Sequence, residues 1–342
     1  MSAHTLTLLM KKLLGGILFL GLTTGWLAAE VKPALSAREL EVLIVVGAEG
    51  SEEYGRRFAQ SEADWKTACQ SAAVMCSVIG HEKGSDADAK VLEDKLRAHA
   101  EKTSGSLWLI LIGHGTFDGR DAKFNLRGPD LSAVQLAGWL KPLKQELVFV
   151  HTGSASAPFA KAIAGPGRIC VSATKSADEV FYTRFGEFFS KAIAGLPEAD
   201  LDQDKQVSVL ESFLHASKEV AEFYETEERL ATEHSLLDDN GDGVGTRSEV
   251  FVGTRAANAA ASTTPDGERA RQLCLVLNDQ EKLLSDETRR TRDNLEREIQ
   301  NLHGKKSTLP EAEYYTQMEA LLLKLGRLYP PAPAESAPVQ SN

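Results

Sequence analysis

Two short motifs in this 342-residue chain set residue types capable of nucleophilic chemistry behind apolar runs. His114-Gly115 follows SLWLILIG, and Gly153-Ser154-Ala155-Ser156 follows LVFVHT. A hydroxyl becomes a nucleophile when a base within hydrogen-bond reach takes its proton. Ser154 and His114 are the candidates for those two parts, and Asp118 is the acid available to orient the imidazole. The plainer reading of His114 is a strand-end histidine bonded to nearby backbone. Cys170 lies inside the apolar run RICVSA and reads as a buried, inert thiol.

Two acidic stretches carry a second chemistry. In residues 200–211 (DLDQDKQVSVLE), Asp200, Asp202 and Asp204 stand at positions 1, 3 and 5 of a twelve-residue loop. Gln206 offers a carbonyl at 7, Ser208 stands at 9 and Glu211 at 12. That spacing wraps hard oxygens around calcium, which takes six to eight of them. Lys205 is the departure, because position 6 makes a sharp turn that favours glycine. In residues 238–249 (DDNGDGVGTRSE), Asp238, Asn240 and Asp242 hold positions 1, 3 and 5, Gly243 holds 6, Val244 offers the carbonyl and Glu249 closes the loop. Both stretches resemble EF-hand loops, and that resemblance implies calcium as a stabilising cofactor. The competing reading is that Asp, Asn and Gly clusters make turns and cap helices. His234, just before the second loop, reads as a surface residue.

The elements that must position these residues follow from hydrophobic patterning. Continuous apolar runs at 41–47, 74–79, 106–112, 147–151 and 168–173 read as buried strands. Between them, helical spacing covers 51–74, 86–102, 131–140 (with Asp130 as cap), 157–164 and 185–194. Strands alternating with helices, and apolar on both faces, mean a mostly parallel sheet covered on both sides. Ligands of such sheets bind at the carboxyl ends of the strands, where His114 and Ser154 fall. A helix at 209–228 separates the acidic loops, AANAAASTT marks a linker at 256–266, and 267–329 reads as a charged helical hairpin broken near His303-Gly304 and Leu309-Pro310. Pro-rich residues 330–342 read as a disordered tail.

The run Leu109-Ile110-Leu111-Ile112-Gly113-His114-Gly115, with Leu147-Val148-Phe149-Val150 as the next strand, resembles the caspase–legumain–metacaspase group of cysteine peptidases, peptidase C13-like members included. The resemblance spans residues 40–194 and implies a caspase-like α/β/α sandwich over 40–255, with a catalytic His-Gly after one strand and a Cys at the end of the next. Here Ser154 stands at the Cys position, or Gly153 if the alignment shifts by one. Serine is a far weaker nucleophile than a thiolate. If the site is active, Ser154 attacks, His114 is the base, and amides around Gly115 and Ser154 form the oxyanion hole. The family's pocket for the residue before the cut bond maps onto 174–184, where Asp178, Glu179 and Arg184 are the candidate selectors. The leading expectation is a peptidase-family protein, acting on or only binding polypeptide, with lost or altered catalysis. The alternative is a non-catalytic, calcium-stabilised binding or scaffold protein.

Composition narrows the partners. Lys plus Arg is 38 against 49 Asp plus Glu, a net charge of −11, which disfavours phosphate backbones. Lys11 and Lys12, the apolar stretch 13–27 and the Ala28-Ala29 pair read as an export signal over 1–29, with a retained anchor as the alternative. The expectation is therefore a periplasmic or secreted protein, free of the membrane after cleavage. Four cysteines are too scattered for a disulfide framework. The charged C-terminal helices are a candidate surface for self-association.

Overall fold

The structure, a computed structural model, describes residues 39–81, 87–256 and 265–329. The expected leader, most of the linker and the tail lie outside the described residues. In chain order the elements are β1 (Leu40–Val46), α1 (Glu52–Ala72), β2 (Met75–Ile79), α2 (Asp88–Ala100), β3 (Ser106–Ile112), β4 (Gly115–Phe117), β5 (Ala122–Phe124), β6 (Leu131–Ser132), α3 (Ala133–Leu140), β7 (Glu146–His151), α4 (Ala157–Ile163) and β8 (Arg168–Ser172). They continue as α5 (Phe185–Ile193), α6 (Val209–Thr226), β9 (Leu236–Asp238), α7 (Glu268–Gln272), α8 (Asp286–Gly304) and α9 (Glu311–Gly326).

The central sheet has the order β2-β1-β3-β7-β8-β9. All neighbours run parallel except β8 and β9. The two-residue side-chain period divides β3 between two cores. Trp108, Ile110 and Ile112 face α1, α5 and α6, meeting Trp65, Phe189 and Phe213. Leu107, Leu109 and Leu111 face α2, α3 and α4, meeting Leu96, Leu136 and Phe159. Each such fully buried side chain contributes about 1.5–3 kcal/mol. The result is the α/β/α sandwich with a mostly parallel sheet that the patterning implied.

Several boundaries differ from the sequence reading for identifiable reasons. The third helix starts at Ala133 rather than 131, and Ser132, not Asp130, caps it by accepting the Gln135 N–H at 3.1 Å. Leu131 is instead paired in β6 with Phe124. β9 was unforeseen; it closes the sheet antiparallel through Cys170 opposite Asp238. Residues just past the linker join the main body. Ala270 and Leu275 are buried in the α1–α5–α6 core, and Val209 N–H donates to the Leu273 carbonyl at 2.9 Å. Only α8 and α9 form the hairpin, with Leu295, Leu302 and Tyr314 buried. Helix α8 begins at Asp286, where Ser285 caps it by accepting the Thr288 N–H.

Candidate functional site

Parallel β3 and β7 deliver His114 and Ser154 to the same edge of the sheet, as their strand-end positions required. They do not meet as a catalytic pair. Ser154 is 3% exposed. Its Oγ donates to the Gly115 carbonyl at 3.1 Å and accepts the Gly115 N–H at 3.3 Å. The hydroxyl proton therefore goes to backbone, and the Gly115 amide expected in an oxyanion hole is already engaged. His114 turns its Nε2 to the Glu49 carbonyl at 3.3 Å. Burial lowers its pKa, against the pull of that carbonyl. Among the described residues no hydrogen bond joins His114 to Ser154. Asp118 does not orient the imidazole either. It closes the turn after β4, accepting the Arg120 and Asp121 N–H groups, and lies 3.5 Å from the Lys123 ammonium.

What surrounds His114 instead is aromatic. Tyr54 meets the imidazole edge-on at 4.6 Å between ring centroids, with Phe58 at 5.1 Å and Tyr182 at 6.0 Å. Tyr182 Oη donates to Glu187 at 2.7 Å, and Arg57 reaches both the Tyr182 ring and Glu187. Beside it, Val180 is 45% and Phe181 66% exposed, although most large apolar residues of this body are buried. The segment is fixed over the site by the Ala155 N–H donating to the Glu179 carbonyl at 2.9 Å. Sequence reasoning missed this cluster because its members come from three distant stretches. The one available signal was Tyr54 and Phe58 on one face of the first helix.

The three expected substrate selectors have different surroundings. Asp178 is exposed. The Glu179 carboxylate is taken by the Lys175 N–H and by His234, through its N–H and through Nδ1 at 2.5 Å. His234 is thus a structural partner rather than a free surface residue. The Arg184 guanidinium lies over the Phe223 ring at 3.8 Å. Buried Glu233 holds the start of α5 by accepting the Arg184 and Phe185 N–H groups, and burial pushes its pKa up to about 7. Cys170 is buried, and burial raises its pKa, which fits an inert thiol.

The acidic loops adopt related turns. In the first, Asp200 accepts the Asp204 and Lys205 N–H groups, and in the second, Asp238 accepts those of Gly241 and Gly243. Lys205 takes the turn at φ 67°, where a side chain is strained. One carboxylate oxygen from each of Asp200, Asp202 and Asp204 lies within 4.8 Å of the others. Burial first, then repulsion from Glu211 and Asp204, pushes the Asp202 pKa up to about 6. Glu211 does not turn outward; it accepts the Leu201 and Asp202 N–H groups and closes a capping box with Ser208 at the start of α6. Gln206 holds Asp204 through both its N–H and its side chain. In the second loop Asn240 accepts the Asp242 N–H, Asp242 accepts that of Val244, and Glu249 is exposed and paired with Arg247 at 2.6 Å.

No protein-family model matches the sequence, and no curated protein matches it. Solved structures do resemble it in outline. One is the initiator caspase Dronc of Drosophila, 11% identical, covering 62% of this chain and 84% of its own, with a TM-score of 0.40. Another is protein GSU0716 of Geobacter sulfurreducens, 10% identical, covering 60% of this chain and 97% of its own, with a TM-score of 0.38.

Proposed function

We propose that this chain is an exported, non-hydrolytic binding protein on a caspase–legumain-like α/β body, holding extended polypeptide at the carboxyl edge of the sheet. The observation that carries the reading is the pairing of Ser154 Oγ with both backbone groups of Gly115, with no hydrogen bond to His114 among the described residues. A serine needs its base in reach, and here the base faces a carbonyl. Polypeptide suits the surface: exposed Val180 and Phe181 offer apolar anchors, and a charged cleft of about 370 Å³ lined by Arg57 and Glu187 adjoins Tyr182. Export rests on the leader-like residues 1–29. A peptide library presented to the mature protein tests the reading, scored separately for retention and cleavage. Retention without cleavage is expected, and Phe181→Ser should weaken it at least about tenfold, close to 1.4 kcal/mol. Undiminished retention by that variant would reject the anchor.

The first acidic loop also favours a calcium-stabilised body. Three convergent carboxylates, and the crowding that lifts Asp202, suit a hard dication held by Asp200, Asp202 and Asp204. In the second loop Glu249 faces Arg247, so the fit is poorer there. Calcium at about ten times its Kd should add about 1–2 kcal/mol of stability. Asp202→Asn should remove that gain and, by relieving repulsion, stabilise the calcium-free protein. A melting temperature indifferent to calcium and chelator would sink the idea.

A further inference from the structure

Cys69 and Cys76 lie seven residues apart and belong to different elements. Cys69 sits in the last turn of α1, and Cys76 is the second residue of the edge strand β2. The turn between them is tight. Ala73 adopts the left-handed conformation at φ 52°, and the Val74 N–H returns to the Cys69 carbonyl at 3.1 Å. Both side chains therefore enter the same core, Cys69 fully buried and Cys76 partly so. The two thiols lie close enough to perturb each other's ionisation. Lys66, one helical turn before Cys69, places its charge near Cys76 while paired to Glu62.

We propose that Cys69 and Cys76 form a redox pair that closes to an intramolecular disulfide through exchange with a small-molecule disulfide such as oxidised glutathione. Cys76 is the attacking thiol. It is the more accessible of the two, and the neighbouring Cys69 thiol and the Lys66 charge both favour its thiolate, lowering its pKa. Its sulfur attacks one sulfur of oxidised glutathione, forming a mixed disulfide and releasing one glutathione thiolate. Cys69 then gives up its proton and attacks the Cys76 sulfur, forming the protein disulfide and expelling the second glutathione. Two protein thiols are oxidised and one glutathione disulfide is reduced to two thiols. The bond ties the end of α1 to a strand with a neighbour on only one side. Cys170 and Cys274 lie on β8 and beyond α7, apart from this turn.

The test equilibrates the full chain with oxidised glutathione or with dithiothreitol, then alkylates it in denaturant and weighs it. Four alkylated cysteines are expected after dithiothreitol and two after glutathione disulfide. The single tryptic peptide 67–83 holds both cysteines and should then be lighter by two hydrogens and unalkylated. Closing so short a loop should raise the melting temperature of the oxidised form by about 4 °C. Cys69→Ala should leave Cys76 trapped as the glutathione mixed disulfide, whereas Cys76→Ser should trap none at Cys69. Four alkylated cysteines after glutathione disulfide, or a bridge to Cys170 or Cys274, would overturn the proposal.

Discussion

Gly115→Ala is expected to cost about 3 kcal/mol or more of folding stability and to separate the ends of β3 and β7. An alanine Cβ at this position would lie 2.0 Å from the Ser154 carbonyl oxygen and 3.0 Å from its carbon. Neither obstacle is a movable side-chain tip, so the two backbones must part, and overpacking of this kind typically costs 1–3 kcal/mol before other losses. Parting them also stretches both Gly115–Ser154 hydrogen bonds, leaving buried polar groups unpaired. Gly138→Ala is the matched control. It lies in α3 with nothing within 4 Å of the new methyl, so it should be neutral or stabilising by about 0.5–1 kcal/mol. Equal denaturant midpoints for the two variants would show that the close approach at Gly115 does not restrain the fold.

His151 sets the second large effect, an acid limb to stability. Its ring is fully buried at the end of β7, beside Phe159 at 4.8 Å and Phe124 at 5.3 Å between centroids. The Gly153 N–H donates to Nδ1 at 3.1 Å, so the proton sits on Nε2, which has no partner among the described residues. Burial pulls its pKa down to about 3 from an ordinary 6.5. Between those values the unfolded chain binds the proton and the folded one does not, so stability falls as pH drops from 6.5 towards 3. At about 1.4 kcal/mol per unit the loss is on the order of 5 kcal/mol across the window. His151→Phe should flatten this limb while costing about 1–3 kcal/mol at neutral pH through the stranded Gly153 N–H. Asp202, Glu233 and Asp266, all raised by burial, act in the opposite sense as pH falls but are common to both proteins. Identical pH slopes for native protein and variant would refute the role given to His151.

How much of this was legible in the sequence depends on how local each cause is. β3 was readable to the residue, Ser106–Ile112, because a strand covered on both faces is a near-continuous apolar run, here bounded by Gly105 and Gly113. β9 was not, because three residues beside an acidic loop become a strand only through pairing with β8. The same non-local cause displaced the cap from Asp130 to Ser132. The strand ends carrying His114 and Ser154 were legible from alternation and topology. Their failure to pair was not, since it follows from the close approach of Gly115 to Ser154 and from a ring held among Tyr54, Phe58 and Tyr182. Lys205 was legible as an anomaly, and its left-handed backbone shows the turn keeping its shape at a local cost. Glu211 reads equally well as a position-12 ligand and as a capping-box residue, and in the folded chain its carboxylate faces backbone.

Whether this site hydrolyses peptides is decided by peptide-library cleavage by the native protein, run beside Ser154→Ala, Ser154→Cys and His114→Ala. With Ser154 held by Gly115 and His114 held by Glu49, every peptide should survive intact in all four reactions. Cleavage by the native protein that disappears in both alanine variants would contradict the account and establish a serine-dependent peptidase.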